Sequence, residues 1–178
     1  MSLQIIAGLY RGRRLISPKG DQTRPTQGIL REALFNILQN QIAGSHFLDL
    51  FAGSGAIGLE ALSRGAQEVV FVEHNRLALQ ALKANIERLA CKARVLPFDI
   101  FKALKLLSNP FDLIFADPPY DQIDLPRLLS SLSHLVKPET SLFLEVPAAS
   151  PSFSPAQWRL IDQRKFGIAR LDRYICEK

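Results

Sequence analysis

With 178 residues, 47% of them hydrophobic and 22% charged, the chain has the length and composition of one soluble globular domain with a sizeable core. Its apolar runs stop far short of the roughly 20 residues that a membrane span requires, and no leader with a charged and then an apolar region opens it, so a cytoplasmic protein is expected. Cys91 and Cys176 are isolated thiols that give no disulfide framework, and His46, His74 and His134 are scattered without the spacing of metal ligands, so no metal is expected either.

The net charge of +5 is placed unevenly. Residues 1–31 carry six basic side chains (Arg11, Arg13, Arg14, Lys19, Arg24 and Arg31) against the single acid Asp21, and the rest of the chain sums to zero. Such a segment can hold a phosphate backbone with an affinity that falls as salt rises. A solvated basic surface is the plain alternative. The pattern Leu3-Gln4-Ile5-Ile6-Ala7-Gly8, then Leu9-Tyr10-Arg11-Gly12-Arg13, then Arg14-Leu15-Ile16 is punctuated by glycine and reads as a basic β-hairpin. That order favours contact with nucleic acid over a merely solvated face.

After the arm, Thr26 can cap a helix whose apolar positions Leu30, Leu34, Ile37 and Leu38 follow helical spacing and which ends near Asn40. The run His46 to Phe51 is a continuous apolar strand with one acid inside it. A glycine-rich turn follows, then a helix from about Ala56 to Ser63, a strand Val69 to Glu73 and a helix from about Arg76 to Leu89. Two more pairs come next: a strand near Arg94 to Leu96 with a helix Phe101 to Leu107, and a strand Asp112 to Ala116 with a helix Leu125 to Leu135. Buried strands alternating with helices predict an α/β fold with a mostly parallel sheet covered on both faces. A strand near Leu142 to Val146, a loop Pro147 to Pro155 and two stretches about Gly167, Trp158 to Asp162 and Ile168 to Cys176, predict a closing antiparallel pair. The basic residues of that last segment could extend an RNA surface or only close the sheet.

The turn Gly53-Ser54-Gly55-Ala56-Ile57-Gly58 matches the dinucleotide fingerprint, a weak signal alone. Glycines there permit a tight turn and close approach of a ligand to the backbone at a helix amino terminus. Asp49, inside the preceding strand, suits a ligand with a cationic tail better than a pyrophosphate. Glu73, at the end of the next strand, is placed to accept ribose hydroxyls, and Asp99 could accept from an adenine amine. An adenosine with a positive tail is S-adenosylmethionine. Each acid also has a local reading: Asp49 ordering the glycine loop, Glu73 starting a turn with Asn75, Asp99 capping the next helix. Four acids at successive strand ends are costly to gather in a basic protein unless something there uses them.

The fourth acid opens Asp117-Pro118-Pro119-Tyr120, directly after the strand. Two prolines end the strand and remove backbone donors, leaving the Asp117 carboxylate and nearby carbonyls to accept from a flat, amine-bearing ring. An ordinary turn would use the same residues.

The stretch Leu48-Asp49-Leu50-Phe51-Ala52-Gly53-Ser54-Gly55, continuing through Glu60 to Ala66 and Val72-Glu73, together with Phe111 to Tyr120, resembles class I methyltransferases. With Ile5-Ile6-Ala7-Gly8, Gly12-Arg13, Thr23-Arg24-Pro25-Thr26 and Arg31-Glu32-Ala33-Leu34-Phe35-Asn36, it is more closely similar to the bacterial ribosomal RNA small-subunit methyltransferase D family over nearly the whole chain. The resemblance implies a Rossmann-like domain over residues 25–178 with a seven-stranded sheet, preceded by an RNA-contacting arm over residues 1–24. It implies S-adenosylmethionine-dependent methylation of the exocyclic N2 of a guanine in 16S rRNA, within an assembling small subunit, by a monomeric protein. Asp49, Phe51, Ala52, Gly53, Ser54 and Gly55 would hold the methionine moiety, Glu73 and His74 the ribose, Asp99 and Ile100 the adenine. Asp117, which also borders the cofactor, would receive the guanine with Pro118, Pro119 and Tyr120; Arg11, Arg13, Arg14, Arg24 and Arg31 would face RNA. One departure is visible: the family commonly has a basic residue where this chain reads Gln27-Gly28-Ile29-Leu30, which removes a phosphate contact. The residues by themselves leave open adenine N6, cytosine N4 or a glutamine amide as target. They also leave open an NAD-dependent oxidoreductase, which gives the Pro-Pro-Tyr element no role, and a non-catalytic RNA-binding module, which gives the acids none.

Overall fold

A computed structural model describes residues 3–18, 25–153 and 157–177, the side chains of residues 25–27 excepted. Helix α1 (Pro25–Leu38) is followed by β1 (His46–Leu50), α2 (Ala56–Ser63), β2 (Glu68–Val72), α3 (Arg76–Leu89), β3 (Arg94–Leu96), α4 (Ile100–Leu104) and β4 (Leu113–Ala116). Then come α5 (Leu125–Ser131), a 3-10 turn (Ser133–Leu135), β5 (Ser141–Pro147), β6 (Trp158–Phe166) and β7 (Ala169–Cys176). The strands form one sheet in the order β3-β2-β1-β4-β5-β7-β6. It is parallel from β3 to β5, and β7 runs antiparallel to both β5 and β6. The order reverses between β1 and β4, and in open α/β sheets the crevice beyond the strand ends at such a point is where ligands bind.

Alternate side chains of each strand enter opposite layers. Leu48, Leu50, Ile114, Leu142 and Leu144 pack with Leu104, Leu128 and Tyr174 on one face. Phe47, Phe71, Phe115 and Phe143 pack with Leu34, Phe35, Leu59 and Leu82 on the other. Each such side chain contributes roughly 1.5–3 kcal/mol on burial, and burial on both faces is why the strands read as unbroken apolar runs. Helix α3 shows the local logic: Asn75 caps it by accepting from the Leu77 and Ala78 amides, and Ala78, Ala81, Leu82, Asn85 and Leu89 form its buried stripe.

The differences from the sequence expectations lie at element ends. Helix α4 stops at Leu104, and the Leu106 and Leu107 amides close i,i+3 turns beyond it instead of continuing to Leu107 as α-helix. Helix α5 likewise gives way to the 3-10 turn before Leu135. Strand β6 runs on to Phe166, with a bulge between Leu160 and Asp162. Helix α1 begins at Pro25, so Thr26 lies within it rather than at its cap, and Pro155 lies outside the described residues.

The amino-terminal hairpin is a tight ribbon with one bridge pair, Gln4 and Arg14. Ile5 N–H donates to Arg13 O at 3.0 Å, and Leu15 N–H to Leu3 O at 2.8 Å. It is docked rather than free. Ile5 and Leu15 bury in the same layer as Leu34 and Phe35. The fully buried Glu60 carboxylate accepts from the Ile6 and Ala7 amides at 2.7 and 3.0 Å and from Arg64 Nε at 2.7 Å. Ser63 Oγ accepts from Tyr10 N–H at 2.9 Å. No helix among the described residues is long and apolar enough to cross a membrane.

Candidate active site

The turn leaving β1 is held open by its backbone. Phe51 and Gly53 have φ of 60° and 56°, the left-handed region that costs an ordinary residue such as Phe51 about 1–2 kcal/mol. Ala52 N–H donates to Val72 O at 3.0 Å, which fixes the turn over β2. A Cβ on Gly58 would stand 2.3 Å from the Phe71 ring, so the absence of a side chain there lets α2 lie directly on the sheet. A Cβ on Gly53 would meet nothing within 4 Å, so the space above that backbone is open to a ligand.

Three of the predicted acids gather around this turn. Asp49 is 1% exposed, and its Oδ2 accepts from Gly58 N–H, in the first turn of α2, at 2.8 Å. Burial pushes its carboxyl up to about 7; the Gly58 bond opposes the shift, and the charges of Glu73 and Asp117 add to it. Glu73 braces two loops at once: Oε2 accepts from Gly53 N–H at 2.8 Å, and Oε1 accepts from the His74 and Asn75 amides at 2.7 Å each. His74 itself is exposed. Asp117, at the end of β4, is close enough to Asp49 to raise its pKa. Asp99 stands apart on the outer strand side, exposed, where its Oδ1 accepts from Phe101 N–H at 3.0 Å and caps α4, with Ile100 buried beneath. The local readings of Asp49, Glu73 and Asp99 are therefore what the structure displays. Ser54 and Gly55 complete the turn, Gly55 at φ 80° as the residue before α2.

The Asp117 element adds a residue that the sequence reading missed. Pro118 is buried, Pro119 exposed, and Tyr120 half-buried. The Tyr120 hydroxyl is hydrogen-bonded to Asp117 Oδ1 at 3.1 Å and to the Glu145 carbonyl oxygen. Burial and the neighbouring acids Asp117 and Glu145 push the phenol further up, so it is a neutral donor at any working pH. Ala116 pairs with Leu144 in the parallel β4–β5 ladder, so Asp117, just past β4, and Glu145, within β5, lie side by side on the Phe115–Phe143 face. Burial first, and then Asp117, push the Glu145 carboxyl up to about 7. Its sequence signal was the same as that of Asp49: one acid inside an apolar strand, here Leu142 to Val146. Phe51, Phe98 and Phe101, half-buried against the α4–α5 layer, add aromatic walls to the rim.

Of the predicted RNA residues, Arg11, Arg13 and Arg14 are exposed, and Arg13 Nη2 reaches Arg88 O at 2.7 Å. Arg31 is 7% exposed: Nη2 donates to Gln4 O at 2.8 Å, Nε and Nη1 have no hydrogen-bond partner among the described residues, and burial lowers its pKa. It pins the arm from inside rather than joining the exposed cations. Arg24 lies outside the described residues.

A cavity of about 430 Å³ opens at the opposite ends of the strands, where β1, β4 and β5 begin, lined by Asp112, Lys137, Thr140, Ser141 and Arg173 among others. Lys137 and Asp112 there satisfy each other at 2.5 Å. The acid rim concentrates the strand-end carboxyls and the open glycine turn, and its chemistry singles it out. Among the described residues no group of His, Cys, Asp and Glu is placed to hold a metal ion.

A family model described as conserved hypothetical protein 95 matches residues 3–175. Ribosomal RNA small subunit methyltransferase D of Haemophilus influenzae is 35% identical, the match covering 97% of this chain and 93% of that one. The protein of the same name in Escherichia coli K12 is 36% identical over 93% of this chain and 85% of its own. A solved candidate methyltransferase from Escherichia coli superposes with a TM-score of 0.87 at 32% identity, covering 100% of this chain and 99% of that one.

Proposed function

The chain belongs to the conserved hypothetical protein 95 family, that of the ribosomal RNA small subunit methyltransferases D, and we propose that it methylates the exocyclic N2 amine of a guanine in 16S rRNA. The cofactor is S-adenosylmethionine. The single observation that carries the reading is Asp117 at the sheet's switch point, one strand from Asp49, with its carboxylate tied to the Tyr120 hydroxyl.

The residues present fit that cofactor. The open space above Gly53 admits a ligand to the backbone, and the Asp49 carboxyl, its pKa raised by burial first and then by Glu73 and Asp117, gains from a cationic group. On this reading Glu73 takes the ribose, and Asp99 with Ile100, beside Phe98 and Phe101, the adenine. When bound, the cofactor supplies an electrophilic methyl group on a sulfonium.

This chain's own residues prepare the nucleophile. An aromatic amine attacks poorly because its lone pair is delocalised into the ring. The Asp117 carboxylate and the Pro118 carbonyl accept from the amine, favour a more tetrahedral nitrogen and stabilise the positive charge that develops on it. Tyr120 holds the ring by stacking, and its hydroxyl keeps Asp117 in register with β5, chiefly an effect of proximity. The target guanine is unpaired, flipped out or presented by a particular RNA fold, since pairing hides its amine. The arm over residues 1–24 grips the backbone while the domain that follows selects the atom, and a partly assembled small subunit is the substrate form.

Mass spectrometry of 16S rRNA from cells lacking the protein tests this. Loss of one N2-methylguanosine is expected; an unchanged methyl-guanine pattern defeats the assignment.

A further inference from the structure

The guanine reading above leaves one matter to the pocket: a single carboxylate facing an NH2 group accepts adenine N6 or cytosine N4 as readily as guanine N2. The structure supplies a second carboxyl at that place. Asp117, just past the end of β4, and Glu145, still within β5, follow the paired residues Ala116 and Leu144 on one face of the sheet. The Tyr120 hydroxyl spans the two positions, bonded to the Asp117 carboxylate and to the Glu145 backbone. The Glu145 side chain is half-buried, and among the described residues no donor is bonded to it. A partly buried acid without a donor is costly to charge unless a ligand brings one.

The candidate bases differ in what lies beside the amine. Guanine presents the N1–H donor next to its N2 amine. Adenine has the N1 lone pair beside its N6 amine, cytosine the N3 lone pair beside N4, and a carboxamide its own carbonyl oxygen. Two adjacent carboxylates complement only two adjacent donors. We propose that Glu145 is a specificity-determining residue, its carboxylate accepting from guanine N1–H while Asp117 accepts from the N2 amine, so that the site takes guanine and rejects the other planar amines. This rests on the guanine reading. Burial first, and then Asp117, raise the Glu145 pKa, as expected of a carboxyl that has no donor until a ligand brings one.

The test uses the full chain and partly assembled small subunits in whose RNA the target guanine, mapped by mass spectrometry, is kept or replaced by 2-aminopurine. That base has the same amine but a lone pair in place of N1–H. Methyl transfer from labelled S-adenosylmethionine is read as kcat/KM, and cofactor affinity by calorimetry. The wild type is expected to prefer guanine by at least about 100-fold, since sites built around a substrate N–H strongly reject its absence. Glu145→Gln, whose amide N–H can face the lone pair, lowers that preference below about tenfold with cofactor affinity unchanged. Glu145→Asp keeps a carboxylate and keeps the preference at a reduced rate. A Glu145→Gln enzyme that retains the full preference overturns the assignment and leaves guanine methylation standing. A wild-type enzyme that places no methyl group on the guanine overturns both.

Discussion

The Asn85 carboxamide joins the arm to the glycine turn: its Nδ2 donates to Ser54 O at 3.0 Å and to Ile16 O at 3.0 Å, while its Oδ1 accepts from Ile16 N–H at 2.7 Å. Asn85 is fully buried on α3, so these bonds form where water cannot replace them. Asn85→Ala leaves one amide and two carbonyls unpaired, at about 1–3 kcal/mol for each orphaned group before relaxation. A loss of about 3–5 kcal/mol in urea unfolding is expected, with weaker S-adenosylmethionine binding because Ser54 is released. A variant that unfolds at the wild-type urea midpoint removes Asn85 from this role.

Asp49 makes the fold sensitive to pH in a defined direction. Its folded-state pKa, about 7, lies above the ordinary 3.8, so the folded chain keeps a proton that the unfolded chain releases across that window. The contribution to stability is therefore full below the lower value and declines as pH rises towards the upper one. Asp49→Asn keeps an acceptor for the Gly58 amide and removes the charge. It is expected to raise stability by on the order of 3 kcal/mol near pH 8 and by much less near pH 5, while weakening binding of the cationic cofactor. Denaturation of both proteins at the two pH values decides it: equal stabilities at the higher pH contradict the assignment.

The sheet was legible because buried strands alternate with capped helices, a pattern that length and periodicity alone convey. The gathering of Asp49, Glu73 and Asp117 around the glycine turn was legible too, since each lies at or near a strand end next to breakers. What stayed hidden depended on pairing between distant residues. Glu145 looks like any acid in an apolar strand until β4 and β5 are set in register. Glu60, Ser63 and Asn85 look like ordinary helix residues until the arm docks on them. Arg31 counts as one more cation in a basic segment, and only packing shows that its guanidinium points inward.

Asp117 and Tyr120 are separable by experiment. Asp117→Ala removes the acceptor for the amine and is expected to lower methyl transfer by about a thousandfold or more, with S-adenosylmethionine affinity, measured by calorimetry, largely kept. Tyr120→Phe retains the ring but cuts the ties to Asp117 Oδ1 and the Glu145 carbonyl. A loss of about tenfold in kcat is expected, because Asp117 is then less well positioned, and Tyr120→Ala loses more by removing the stacking surface. Full activity in Asp117→Ala would sink the catalytic assignment.

The basic segment contains two kinds of arginine, and salt titration tells them apart. Arg11, Arg13 and Arg14 are exposed, so changing all three to Gln costs within about 0.5 kcal/mol of fold stability. If each neutralises a phosphate, the slope of log affinity for small-subunit RNA against log salt becomes shallower by about 2–3. Arg31 is buried and holds the Gln4 carbonyl. Arg31→Ala orphans that carbonyl and opens a gap beneath the arm, for a stability loss of about 1–3 kcal/mol, yet leaves the salt slope where it was. The decisive result is the pair of slopes: an Arg31→Ala slope that drops by as much as one exposed arginine contributes would place its guanidinium on the RNA rather than under the arm.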